Sequence, residues 1–254
     1  MDHVTSDDGT SIAFDTIGEG TPVVIVGGAL STAAAARPLA LALADVGLQG
    51  VVMDRRARGE SADAAAYTPE REAEDVAAVV GATGAAAVLG HSSGAVLALF
   101  AAARGVTAQL FLSEPPFLFG EGLPDPHLPE RLQSLVDDER GGDAVVTFQR
   151  EAVGLPEPVI EQIRTSPAFA SLVPLAQSVV YDAALTRALS TPTPAMLDVP
   201  ATILRGEPTF PALVRACELL HAAMRESELV IVPESRDHGM DPAGTARELR
   251  ARIR

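Results

Sequence analysis

The sequence predicts an α/β domain built on a mostly parallel central sheet with helices on both faces. Three observations predict it. Short β-branched or apolar runs alternate with helical segments along the chain, the signature of strand–helix–strand units. The composition is 47% hydrophobic but only 4% aromatic, so the core is Ala, Val and Leu packed closely, which suits helices lying on a sheet. The 254 residues fall in the range of one catalytic domain with a sizeable core.

In chain order, residues 11–17 and 22–26 read as strands joined by a turn at Gly18-Glu19-Gly20-Thr21, which predicts an antiparallel opening pair. An Ala/Leu helix over 33–46 leads to a strand at 50–54 and the polar loop Arg55-Arg56-Ala57-Arg58-Gly59-Glu60-Ser61. Thr68 caps the next helix, with Pro69 in its first turn and Glu70, Glu72 and Glu74 at its positive end. Strand 85–90, helix 93–104 and strand 108–113 follow. Beyond Glu114 the strand pattern stops, and Pro with short amphipathic stretches at 128–136, 144–152 and 168–181 predicts a helical insertion rather than a structureless loop. Strand 201–204, helix 211–224, strand 228–232 and helix 242–252 complete the chain. The expected organisation is a core of residues 1–114 and 195–254 with a helical cap or lid at 115–194.

Charge narrows the partners. A formal net charge of −15 argues against nucleic acid and against an anionic membrane surface, leaving a small-molecule substrate as the expected partner of a monomer or homodimer. All 19 basic residues are Arg, which removes Schiff-base lysines, P-loop lysines and Ser-Lys dyads from consideration. The lone Cys217 sits among Leu213, Val214, Leu219 and Leu220 and reads as a core thiol. The acidic start, Met1 to Asp8, has no apolar signal region, and no stretch reads as a membrane span; the expected location is the cytoplasm. No cofactor is expected, and no metal site, since His-x-x-x-His and paired His/Cys spacings do not occur.

The chemistry centres on Gly90-His91-Ser92-Ser93-Gly94, set between the strand Ala86-Ala87-Val88-Leu89 and the small-residue helix that starts at Ser93. A serine hydroxyl becomes a useful nucleophile when it projects clear of the backbone and a base can take its proton. A sharp strand-to-helix turn gives that projection, and glycines two residues to either side relieve its Cβ collisions. Ser92 is therefore the candidate nucleophile. The helix start aims free N–H groups at the same point, making the Ser93 amide one oxyanion donor. The turn Gly27-Gly28-Ala29-Leu30 offers a second, the Ala29 amide. His91 reads as a strand-end side chain packed beneath the turn.

With these pieces in place the chain resembles the α/β-hydrolase superfamily over essentially its whole length, closest to the small bacterial, cap-bearing serine esterase or lactonase branch. The resemblance rests on Val23-Val24-Ile25-Val26-Gly27-Gly28, on Asp54-Arg55-Arg56-Ala57-Arg58-Gly59-Glu60-Ser61, on the Ser92 turn and on the last strand, Leu229-Val230-Ile231-Val232, leading to His238. Family members often begin the oxyanion turn with His-Gly; here Gly27 takes the place of that His. The resemblance implies that His238 is the base, since the family histidine follows the last strand. His3, His127 and His221 fit less well.

The resemblance fails at the third member of a triad, the acid that holds the imidazole. The family position, three residues past the glycine ending the penultimate strand, is Thr209, which carries no charge. Two carboxylates remain. Glu207 is adjacent to the usual place but points elsewhere beside Pro208. Glu114 ends the strand after the nucleophile helix, where haloalkane dehalogenases of this superfamily keep their acid and where ligand-facing residues of open α/β sheets gather. Glu114 is the expected acid, with Asp198, Asp237 and Asp241 weaker. Arg55, Arg56 and Arg58 read as a structural brace, with an anionic-substrate contact as the alternative. The expected activity is hydrolysis of a small, fairly hydrophobic ester, lactone or thioester. Non-hydrolytic or C–C bond chemistry at the same site, and a non-catalytic ligand-binding role motivated by Thr209, are the alternatives.

Overall fold

The computed structural model describes residues 1–64 and 66–253. Eight strands form one sheet: β1 (Asp2–Thr5), β2 (Ser11–Ile17), β3 (Thr21–Val26), β4 (Leu48–Met53), β5 (Ala87–His91), β6 (Gln109–Ser113), β7 (Ala201–Gly206) and β8 (Ser227–Val232), in the order β1-β2-β4-β3-β5-β6-β7-β8. From β4 to β8 every pairing is parallel, and only β1 with β2 and β2 with β4 are antiparallel. The predicted opening pair is therefore wrong in its partner. The turn after β2 is present, but β4 inserts between β2 and β3, so β2 is antiparallel to β4, Phe14 opposite Met53. Strand β1 escaped the sequence reading because its four residues are largely exposed and carry no apolar alternation.

The helices cover both faces as predicted. On one face α1 (Ala33–Asp45) and α11 (Pro242–Arg252) enclose Val23, Ile25, Leu39, Leu43, Leu89 and Leu249. On the other, α2 (Pro69–Thr83) and α3 (Ser93–Ala103) bury Val76, Val79, Val96, Leu97 and Leu99 with Val24 and Val88. Helix α3 is apolar on every side because it lies in the middle of the molecule. Thr68 caps α2, its hydroxyl accepting from Arg71 N–H. The Cys217 thiol is fully buried in the core and burial pushes it up to about 12, as an inert core thiol requires.

Between β6 and β7 the chain is helical: α4 (Leu128–Asp137), α5 (Gly141–Glu151), α6 (Glu157–Thr165), α7 (Phe169–Leu172), a single 3-10 turn (Val173–Leu175), α8 (Ala176–Ala188) and α9 (Pro194–Leu197). The expected helix at 168–181 is broken by that turn around Pro174 and continues past Tyr181 to Ala188. Taken together, Phe169–Ala188 is long and apolar enough to pass as a membrane span, which the sequence reading did not expect; half of it is buried within the fold, as in a core helix. Helices α4, α5 and α8 share an apolar cluster of Leu128, Leu132, Val145, Phe148 and Val179, onto which Ala29, Leu30, Ala57 and Tyr67 pack. Beyond α9, α10 (Pro211–Ala223) packs on β7 and β8.

Candidate active site

Ser92 stands at the junction of β5 and α3, with φ 54° and ψ −125°. A serine at a helix start ordinarily turns its hydroxyl onto the helix amides. The backbone of Ser92 rules this out, and its side chain makes no cap hydrogen bond. Close packing makes the turn possible: a Cβ on Gly90 would fall 2.4 Å from the Gly94 carbonyl oxygen, and one on Gly94 would fall 2.3 Å from that of Val26. The flanking glycines thus do what their spacing predicts.

Glu114 follows the last residue of β6, with β7 beside it, and His238 follows β8, so the two side chains meet above the carboxyl ends of these strands. His238 Nδ1 lies 2.6 Å from Glu114 Oε2. The carboxylate is buried and fully engaged: the Gly206 N–H donates to Oε1 at 2.9 Å and the Thr209 hydroxyl to Oε2 at 3.1 Å. Burial alone would raise the Glu114 carboxyl, but the hydrogen bonds from His238, Gly206 and Thr209 outweigh it and hold it below the usual carboxylate range. Thr209, at the position where the resembling family places its acid, is here a donor to Glu114. Glu207 is exposed and makes no hydrogen bond to His238; its backbone N–H donates to Ser235 O.

Among the described residues no hydrogen bond joins Ser92 Oγ to His238, whose bonded partner is Glu114. The His238 ring lies 4.7 Å from that of His91, centroid to centroid. His91 ends β5, as expected, and its Nδ1 pairs with Ser113 Oγ at 3.2 Å. Burial, reinforced by His238, lowers the His91 pKa to about 3, so this imidazole is neutral and competes for no proton near pH 7.

Backbone strain converges here. Ser92, Glu114 and His238 have φ of 54°, 47° and 66°, in the left-handed region that non-glycine residues seldom occupy, and Asp237 and Leu30 beside the site have 50° and 56°. Such residues cost of order 1–3 kcal/mol each and persist where surrounding structure forces them. The amides of Ala29 and Ser93 donate to no protein acceptor among the described residues. Gly28, preceding Ala29, lies so close to the turn that a Cβ there would be 2.9 Å from Ser92 Cβ. One free N–H belongs to the residue after the serine, and the other to the residue after Gly28, which packs against it.

The remaining sequence candidates lie elsewhere. His127 precedes α4, His221 lies on α10 paired with Ser227, His3 on β1 pairs with Ser11, and Asp241 caps α11. Arg55, Arg56 and Arg58 are all buried and paired with carboxylates: Arg55 with Glu72 and Asp182, Arg56 with Asp75 and Asp8, Arg58 with Asp182. They brace the structure. Asp182 escaped the sequence reading, since its two arginine partners are more than 120 residues away and nothing local marks a helical Asp as buried.

The comparisons agree with this architecture. The model of the alpha/beta hydrolase family matches residues 13–251. A solved structure of an alpha/beta hydrolase from Sphaerobacter thermophilus is 36% identical with a TM-score of 0.90, covering 98% of this chain and 99% of that one. A thermophilic esterase from Thermogutta terrifontis is 25% identical with a TM-score of 0.68 over 99% and 96% of the two chains. An esterase from Exiguobacterium antarcticum, 19% identical with a TM-score of 0.68 over 99% and 98%, shares the fold. No curated protein matches the sequence. On the family match and the Sphaerobacter relative, this chain belongs to the alpha/beta hydrolase family.

Proposed function

We propose that the protein is a serine hydrolase that cleaves an ester, lactone or thioester of a small, fairly hydrophobic substrate through an acyl-enzyme on Ser92. The observation that carries this reading is the strained Ser92 turn beside a buried Glu114 bonded to His238. His238 Nδ1–H donates to Glu114, which leaves Nε2 unprotonated and able to accept the Ser92 proton as Oγ attacks the carbonyl carbon. The Ala29 and Ser93 amides hold the oxyanion of the tetrahedral intermediate. His238 then protonates the leaving alkoxide or thiolate, and a water deprotonated by the same imidazole attacks the acyl-enzyme. Glu114 stays ionised throughout, in keeping with its lowered pKa.

Residues 115–194 act as a lid in this reading. Their helices have an apolar cluster of their own, and they rest on Ala29 and Leu30 of the proposed oxyanion turn. Thr209, which motivates a non-catalytic role from sequence alone, donates to Glu114 and so supports the catalytic reading. The esterase named among the relatives at 25% identity is in line with ester hydrolysis. Turnover of a panel of nitrophenyl esters, thioesters and lactones by wild type and Ser92→Ala tests the proposal. Hydrolysis of at least one class, lost by a factor of about 10⁴ or more in the variant, is expected. Equal rates in the two proteins would sink it.

A further inference from the structure

A second polar constellation lies beside Ser92 that the proton relay does not use. Asp182 on α8 accepts the Ser93 hydroxyl at Oδ1 (2.7 Å), Arg55 Nη1 at the same oxygen (2.9 Å) and Arg58 Nη2 at Oδ2 (2.7 Å). Arg55 also donates to Ser93 Oγ, to Glu72 and to the Gly27 carbonyl, and Tyr67 donates to Glu72. Two arginines face two carboxylates, all buried, so the cluster is electrically balanced. Burial opposes the charge on Asp182, but Arg55 and Arg58 hold its carboxyl below the ordinary range.

Such a buried cluster is a weak source of stability compared with apolar packing, so its geometry matters more than its energy. The Gly28 carbonyl accepts two donors, Arg58 Nη1 at 2.6 Å and Ser31 Oγ at 2.7 Å. That carbonyl and the Ala29 N–H belong to one planar trans peptide and point in opposite directions. Pinning the oxygen with two donors fixes where the N–H points. At the other donor, Asp182 holds the Ser93 side chain, and the Ser93 N–H is the first free amide of α3.

We propose that Asp182 is a positioning residue for the oxyanion site. It orients Arg58 against the Gly28–Ala29 peptide and fixes Ser93, so that seating α8 on the core sets both amides at the geometry the transition state needs. The inference rests on the reading of Ala29 and Ser93 as oxyanion donors. It ties the helical segment to catalysis through a single carboxylate: with α8 unseated, Ser92 and His238 remain but the amide pair loses its alignment.

The test uses the full chain and an ester that wild type turns over. It measures kcat, KM and inhibition by a trifluoromethyl ketone, whose hemiketal adduct, formed by Ser92 Oγ adding to the ketone carbonyl, carries the oxyanion. Full removal of one oxyanion donor costs about 10²–10³ in kcat. For Asp182→Asn a loss of about 30-fold or more in kcat is expected, with KM within about threefold and the inhibitor constant rising in proportion to the loss. Ser31→Ala, which deletes one of the two donors to Gly28 and no buried charge, is expected to lose about three- to tenfold in the same pattern. Should Asp182→Asn not fold, Ser31→Ala and Ser93→Ala decide. Folded variants with wild-type kcat and inhibitor affinity, or a loss confined to KM, overturn the inference. A fluorophosphonate adduct on wild-type Ser92 separates the two levels. If it forms and the variants keep their kcat, the positioning role alone falls; if it does not form, the serine mechanism falls and takes the positioning role with it.

Discussion

Two buried carboxylates flank the candidate nucleophile, and they are built for different work. Glu114 bonds one half-buried imidazole and is otherwise held by a backbone amide and a hydroxyl, with no arginine bonded to it. Asp182 faces two arginines and a serine, and all its partners are buried. The first leaves its histidine partly accessible, as the proposed proton carrier must be; the second leaves no partner accessible, as a positioning role needs. Around one serine, the proposed proton relay has an accessible imidazole and the proposed positioning cluster is enclosed.

This contrast sets the order of the expected effects. Glu114→Gln should lower kcat by about 10³–10⁴, equivalent to about 4–5.5 kcal/mol, with little loss of stability, while Glu207→Gln should change neither. Steady-state kinetics and thermal melts of the two variants check it, and the reverse pattern would return the acid to its usual strand. Asp182→Asn should cost stability as well as activity, about 3–5 kcal/mol in denaturant unfolding, because the change strands buried arginine charge.

The acid positions differ in how legible they are. Ser92, Ser93 and Ala29 could be chosen from spacing because a strand–turn–helix junction is local, and His238 from its place after the last strand. Glu114 could be preferred to Glu207 because parallel strands bring their carboxyl ends together. Asp182 could not be found: its significance lies in contacts with the loop after β4 and with Ser93, both distant in the chain, and the expected helix over 168–181 is broken at Pro174. The sheet was legible wherever a strand was buried, and illegible at exposed β1 and in the pairing of β2, which depends on a strand more than thirty residues further on. Thr209 looked like a defect because the sequence cannot show what its hydroxyl touches.

Smaller effects sharpen the comparison. His91 is neutral when folded, with its pKa lowered to about 3 against 6.5 for the free group. Below pH 6.5 the unfolded chain takes up a proton that the folded protein refuses, so stability falls with pH across that window, by at most about 1.4 kcal/mol per unit. Denaturant unfolding between pH 7 and pH 5 should show this slope, reduced in His91→Gln. Thr209→Val removes one donor to Glu114 and leaves the other two; about 1 kcal/mol, or roughly fivefold in kcat, is expected from kinetics at pH 7. A loss as large as that of Glu114→Gln would mean that the hydroxyl, rather than the carboxylate, governs the imidazole.

In the proposed mechanism Ser92 is the nucleophile and the Glu114–His238 pair at its side activates it. Intact-mass measurement after treatment with a fluorophosphonate, followed by peptide mapping, tests this most directly. One adduct is expected on wild type, carried by the peptide containing Ser92, with none on Ser92→Ala and much slower labelling of Glu114→Gln. An unlabelled wild type, or the same adduct on Ser92→Ala, would contradict it.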